Sequence, residues 1–248
     1  MIENQYLIYA CYKISQKDSR EDIIYKAAGK AYLDFQRRVS FQGQVSAEQR
    51  FKLKRAIKDL LVAELPLLFQ VGSQEEFDEK HHEICNHIIQ IYASIREQAY
   101  GIAQRWVNQT LLSLAVIECN LHLKYWKIEE SRRYFHIPVE QYVLEAASTK
   151  SKTRFKHGLN LMIAPSKHDN KKDYEMVWYF HEKIQPVEFW EYQEYMDFQN
   201  TVRKRLQEFF PHTYRDCLSW AICAYLEVVQ MRMSEEETIS NMKEGNIR

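Results

Sequence analysis

Arg105, Gln104 and Asn108 lie together in the stretch YGIAQRWVNQTLLSLAVI, residues 100–117. The guanidinium supplies a charge that stays positive, and the two carboxamides each offer donors and an acceptor. At helical spacing, Gly101, Arg105, Asn108 and Leu112 share one stripe, and Ala103, Val107, Thr110, Leu111 and Leu114 fill the neighbouring face. Polar groups set among so many apolar neighbours are either paired inside the protein or open to a cleft, and the function turns on which. A carboxylate stands further on, at Glu140 in HIPVEQYV. Its simplest reading is structural: Pro138 suits the first turn of a helix, and Glu140 lies next to the positive end of that helix's dipole.

Two other clusters invite chemistry. His81, His82, Cys85 and His87 suggest a metal, with His81 and Cys85 at i, i+4. A zinc site needs three or four convergent ligands, and no Cys-x-x-Cys pair stands elsewhere, so no metal is assigned. Residues 148–173 hold Lys150, Lys152, Arg154, Lys156, His157, Lys167, His168, Lys171 and Lys172 with few acids. This loop-like region is the best candidate for phosphate contact. A second basic run, Arg50, Lys52, Lys54, Arg55 and Lys58, reads either as a solvated helix face or as a further phosphate contact.

The elements that must position these residues read as helices. Six glycines and five prolines are few for 248 residues, Asn-Gly and Asp-Gly are absent, and long stretches are rich in Ala, Leu, Glu, Lys, Gln and Arg. Asp18 or Ser19 caps a helix over roughly 20–38. Ser46 and Gln49 have capping-box spacing for a helix reaching about Phe69, with Pro66 kinking or ending it. Ser73 and Glu76 repeat that spacing before a helix over 75–95. The 100–123 helix is almost wholly apolar beyond Leu111, as expected of one through the middle of a domain. An aromatic stripe, Phe189, Trp190, Tyr192, Tyr195 and Phe198, marks a helix over 187–210 that Pro211 breaks, and a last apolar helix covers 214–231. Residues 2–14 stay open between helix and strand, and 174–180 between a short strand and a buried segment.

The fold class is therefore all-α, a multi-helix globular protein. It divides into an N-terminal helical subdomain (1–72), a central and C-terminal helical domain (73–233) and a frayed charged tail (234–248). Thirty-four basic side chains balance thirty-four acidic ones, so a nucleic-acid role needs a local patch. The five cysteines are odd in number and unclustered, which points to reduced thiols and a cytoplasmic protein. Leu111–Leu123 carries Glu118, Asn120 and His122 and is too short for a membrane span.

Two segments, Tyr100-Gly-x-Ala-Gln-Arg-Trp-Val-Asn-x-Thr-Leu and His136-Ile-Pro-Val-Glu-x-Tyr-Val, resemble motifs of a group of bacterial proteins. There the helix reads Tyr-Gly-x-Ala-Gln-Lys-Trp-Ile-Asn-Met-Thr-Leu and the second motif His-x-Pro-[Ile/Leu]-Asp-[Ser/Asn]. Phe77-Asp-x-x-His81, with His82 and Cys85, and Trp190-x-x-x-x-Tyr-x-x-Phe-Gln199 fit the same group. That group in turn resembles the 8-oxoguanine DNA glycosylase branch of the helix-hairpin-helix glycosylases. In those enzymes a lysine nucleophile follows a Gly-x-Gly hairpin, and a later Pro-Val-Asp segment carries the essential carboxylate.

The resemblance puts Arg105 at the lysine position and Glu140 at the aspartate position. Arginine stays protonated, so Schiff-base chemistry is lost, while a hydrolytic route through the carboxylate is kept. The resemblance implies a helix-hairpin-helix glycosylase-like fold in which Glu140 and Arg105 are catalytic. Gln104, Asn108, His136, Tyr142 and Tyr100 would bind a flipped base, and Lys150, Lys152, Arg154, Lys156, Arg50 and Lys54 would follow the phosphates. DNA or a nucleotide is the implied partner, with no cofactor and no membrane, and self-association is left open. Two functions stand side by side. One is a nucleic-acid or nucleotide binder with a glycosylase-like fold, either binding without cutting or excising bases by the hydrolytic route. The other is a catalytically inactive interaction or regulatory protein, for example in bacterial or phage defence, with Arg105 and Glu140 as a structural ion pair.

Overall fold

The computed structural model describes residues 2–36, 45–93, 100–148, 151–161 and 190–245, and these hold ten α-helices and no strand. The all-α expectation holds. The stretches expected around 162–189, including Lys167 to Lys172 and the 174–180 segment, lie outside the described residues. Two compact units divide the chain: Met1–Pro138 with Pro186–Tyr195, and Val139–Gln185 with Met196–Arg248.

In the first unit the open segment at 2–14 is a helix, α1 (Ile2–Tyr12). Ser19 starts α2 (Arg20–Phe35) through a capping box with Asp22, and Ser46 starts α3 (Ala47–Glu64) through one with Gln49. Each box satisfies amide groups that a helix start otherwise leaves without acceptors. Pro66 sits in a 3-10 turn, Leu65–Phe69, that closes α3. Ser73 accepts from the Glu76 amide at the start of α4 (Gln74–Ala93), but the Glu76 carboxylate reaches back to the Gly72 amide (2.8 Å).

α5 (Tyr100–Leu121) runs through this unit, packed on α1, α2 and α4, with 17 of its 22 residues buried. Trp106 anchors it: the indole stacks on Tyr32, meets Phe35 edge-on, and donates to the Tyr92 hydroxyl (3.0 Å). His122 ends the helix with a left-handed φ of 53°. Glu118, a polar interruption in the sequence, is buried and accepts from the amides of Trp126 (3.1 Å) and Ile128 (2.9 Å). That carboxylate thus turns the chain into α6 (Ile128–Ser131).

The second unit opens with α7 (Gln141–Ala147). The expected start at Pro138 moves on by three residues. Ile137 precedes proline and is biased to extended backbone, and the extended path runs on through Glu140, the N-cap residue (φ −127°, ψ 162°). α8 (Ser151–Arg154) follows. α9 (Tyr192–Phe209) gives its first turn to the first unit and the rest to the second, ending before Pro211 as expected. α10 (Cys217–Gly245) packs on α7. It continues past the expected end near Met231, because the next residues are polar but contain no proline and no glycine before Gly245. No helix among the described residues is long and apolar enough to cross a membrane.

Candidate functional site

The polar residues expected to line a cleft in the first unit lie in its interior. Gln104, Arg105, Asn108, His136 and Tyr100 are all buried, Asn108 at 1% exposure and Arg105 at 5%. Four of them belong to one hydrogen-bonded network centred on Asn108, which α5 presents to α4, to the extended segment before Pro138, and to the first turn of α9.

Asn108 fixes the direction of every bond around it. Its Oδ1 can only accept, so His81 must donate from Nε2 (2.9 Å). Its Nδ2 donates to Gln104 Oε1 (2.8 Å), to the Tyr195 hydroxyl (2.8 Å) and, at 3.3 Å, to the Ile137 carbonyl. Gln104 returns its own amide to the Gly101 carbonyl (3.0 Å), one turn back on α5. Because Tyr195 accepts from Asn108, its hydrogen points to His136 Nδ1 (2.7 Å). His136 then donates from Nε2 to Asp78 Oδ1 (2.7 Å). Asp78 also accepts from Gln74 Nε2 (2.8 Å), which holds the Tyr134 carbonyl as well (3.0 Å).

At the other end, His81 Nδ1 accepts from the Tyr100 hydroxyl (3.3 Å), with Cys85 Sγ 3.7 Å away. Burial above all holds His81 well below the ordinary histidine range, so it is neutral. Burial likewise pushes the Cys85 thiol and the Tyr100 hydroxyl upward. Both remain protonated and unreactive. Rings close the space around the network: Tyr195 lies parallel to His81 (5.7 Å), His81 and His136 are 4.4 Å apart, and Phe77 meets His136 edge-on (5.1 Å).

Asp78, His136 and Tyr195 reproduce the order carboxylate, imidazole, hydroxyl that activates nucleophiles in hydrolases. Here the hydroxyl is fully buried and both of its bonding directions are used within the protein. The arrangement can pass a proton along its length and can hold four segments in register. Both N–H groups of Asn108 are used within the protein. The sequence offered Asp78 only as a motif letter, His81 as a metal candidate and Tyr195 as part of an aromatic stripe. The signal that could have joined them to Asn108 was their presence in the same four segments, Phe77–Cys85, Tyr100–Leu111, His136–Val143 and Trp190–Gln199.

In the second unit, Glu140 is half-buried at the start of α7. Tyr142, expected to stack on a base, meets Tyr225 edge-on (5.3 Å) and lies under the Arg232 guanidinium (5.3 Å). Arg232 pairs with Glu145, a carboxylate whose side chain is only 3% exposed and which burial pushes upward. Glu227 accepts from the amides of Lys156 (2.6 Å) and His157 (2.9 Å).

The basic candidates are placed at the surface or near it. Lys152 sits over the Phe209 ring (3.9 Å), Arg154 pairs with Glu235 (2.7 Å), and Lys156 is exposed. Lys150 lies outside the described residues. On α3, Lys52 pairs with Glu48 (2.7 Å) and Arg55 with Asp59 (3.7 Å). Lys54 and Lys58 lie over the rings of Tyr32 (5.2 Å) and Tyr25 (3.8 Å). Arg50 is exposed, and its charge acts on the Tyr32 hydroxyl. No protein-family model, curated protein or solved structure matches this chain.

Proposed function

We propose that this protein binds nucleic acid through the α2–α3 face of its first unit, and that the Asn108 centre is the structural keystone of that unit. The observation that carries the reading is Phe51, 61% exposed on α3 in the midst of Arg50, Lys52, Lys54 and Arg55. An exposed ring among cations offers stacking to a base and charge to the neighbouring phosphates, the combination used by single-strand binders. Half-buried Tyr25, with Lys58 over its ring (3.8 Å), adds a second cation–ring pair from α2 and α3. The five cysteines are free, in keeping with a cytoplasmic setting.

The test is fluorescence anisotropy with a labelled single-stranded oligonucleotide over a salt series. Wild-type affinity should fall linearly with log salt concentration. Phe51→Ala should weaken binding by roughly 5- to 100-fold, the range for one lost base-stacking contact, and Arg50→Glu should weaken it and flatten the salt slope. No binding at low salt, or binding indifferent to both changes, rejects the reading.

A second reading, base excision on a helix-hairpin-helix glycosylase-like fold, draws support from Glu140, half-buried at the start of α7 directly after Pro138-Val139. Against it stands the Gly101 amide, which in the related hairpin would face a DNA phosphate and here donates to the Trp190 carbonyl (3.0 Å). Mass spectrometry of modified-base oligonucleotides separates the two readings. Base release that Glu140→Gln abolishes at unchanged stability favours excision, and binding without release favours the first.

A further inference from the structure

α1 buries a single residue, Ile8, although its sequence, IENQYLIYACY, is rich in apolar and aromatic side chains. Ile2 is 79% exposed, Tyr6 70%, Leu7 56% and Tyr9 55%. These are four of the nine large apolar side chains exposed among the described residues, and they fall within eight positions of one helix. Scattered exposed apolar residues need no explanation, but a contiguous patch marks a contact.

The patch is organised along the face opposite Ile8. At 3.6 residues per turn, Glu3, Tyr6 and Ala10 follow the outward line, with Leu7 flanking it on one side and Tyr9 on the other; Lys13, one residue past the helix with a φ of 57°, stands at the end of the line with its ammonium over Tyr9 (5.5 Å). Opposite charges therefore close the two ends of an apolar stripe, and the stripe is complementary to its own reverse. When a second α1 is laid antiparallel on this face with Ile8 level in both, Tyr6 meets the small Ala10 of the other copy. Glu3 meets its Lys13, Leu7 meets Leu7, and Tyr9 meets Tyr9. This is the reciprocity of a twofold interface, in which residue i contacts j and j contacts i. The four apolar side chains expose together roughly 500 Å² per copy, or about 1,000 Å² for a pair, the size at which specific interfaces begin.

We propose that α1 is the dimer contact of this protein, pairing two copies antiparallel about a twofold axis beside Ile8. The large-against-small fit of Tyr6 and Ala10 sets the spacing of the helices, and the two Glu3–Lys13 pairs set register and direction. The proposal is independent of what the α2–α3 face binds.

Sedimentation equilibrium from about 1 to 100 µM tests it. The wild-type protein should sediment at about twice 29.9 kDa at the upper end. Tyr6→Glu should raise the dissociation constant at least tenfold while thermal unfolding stays unchanged, since Tyr6 is 70% exposed. Glu3→Lys should weaken the dimer by facing two cations, and the double variant Glu3→Lys with Lys13→Glu should restore it. Leu33→Glu, on an exposed site of α2, should leave it intact. A monomeric wild type at 100 µM overturns the proposal and assigns the patch to another partner. A dimer indifferent to Tyr6→Glu, or one that the double charge exchange fails to restore, overturns it as well.

Discussion

The Asn108 amide donates to the Tyr195 hydroxyl at 2.8 Å, joining α5 to a residue 87 positions further along the chain. That one bond decides the rest. It makes Tyr195 a donor toward His136, makes His136 a donor toward Asp78, and leaves the opposite edge of Asn108 to accept from His81. Buried networks of this kind are stabilising when every member is satisfied and costly when one is removed.

Asn108→Ala should therefore unfold the protein more easily than its size suggests. Gln104, His81 and Tyr195 would each lose a partner in a space closed to water, and one such orphan costs about 1–3 kcal/mol. A loss of at least about 3 kcal/mol is expected in urea unfolding. Asn108→Asp should cost at least as much, because a carboxylate still accepts from His81 but faces Gln104 Oε1 and the Ile137 carbonyl with no hydrogen to give. A loss below 1 kcal/mol for Asn108→Ala would show that the network contributes little.

His81 gives the fold an acid limit. Its folded-state pKa lies below the ordinary value of 6.5, above all because it is buried. Above pH 6.5 the ring is neutral both folded and unfolded, and it adds nothing to the pH dependence. As the pH falls through 6.5, the unfolded chain takes up a proton that the folded chain does not, so stability declines toward acid by up to about 1.4 kcal/mol per pH unit. Melting temperatures from pH 8 to pH 5 should fall most steeply below 6.5. His81→Gln should lower stability at pH 8 yet flatten that decline; an equally steep decline in the variant would place the titration elsewhere.

Local features were legible in the sequence because they depend on near neighbours. Ser19 with Asp22 and Ser46 with Gln49 are capping pairs three residues apart, and both form. The path of α5 through the first unit follows from its mostly apolar sequence beyond Leu111, and the Gln104–Asn108 contact follows from i, i+4 spacing. What spacing cannot give is the partner supplied by the fold. His136 read as a substrate ligand because nothing nearby in sequence satisfies it, yet Tyr195, 59 residues later, and Asp78, 58 residues earlier, do so; Asn108 finds Gln104 one turn back but takes its other side-chain partners, His81 and Tyr195, from distant segments. Glu118 read only as a break in an apolar run, whereas the chain returns two amides to it eight and ten residues later. The start of α7 at Gln141 and the length of α10 were misplaced for a simpler reason: helix ends without a strong cap or breaker are set by packing.

The same logic makes Glu145 and Arg232 the most exposed weakness of the second unit. Glu145 on α7 is nearly sealed from solvent, and Arg232 on α10 supplies its countercharge. Burial has already raised the carboxyl's pKa, with Arg232 acting in the opposite direction. Arg232→Ala leaves the carboxylate without that countercharge, and breaking one side of a buried pair costs about 3–5 kcal/mol. The sign with pH is fixed by the direction of the shift. A carboxyl whose folded pKa is above its unfolded value favours the folded state at low pH, and that advantage is lost as the pH rises through the folded value. Denaturant unfolding of Arg232→Ala should accordingly show a larger deficit against wild type at pH 8 than at pH 5. Glu145→Gln placed in the same background should recover much of the pH 8 loss. A deficit equal at both pH values, with no recovery from Glu145→Gln, would mean that Arg232 stabilises α10 through its packing over Tyr142 and not through its charge.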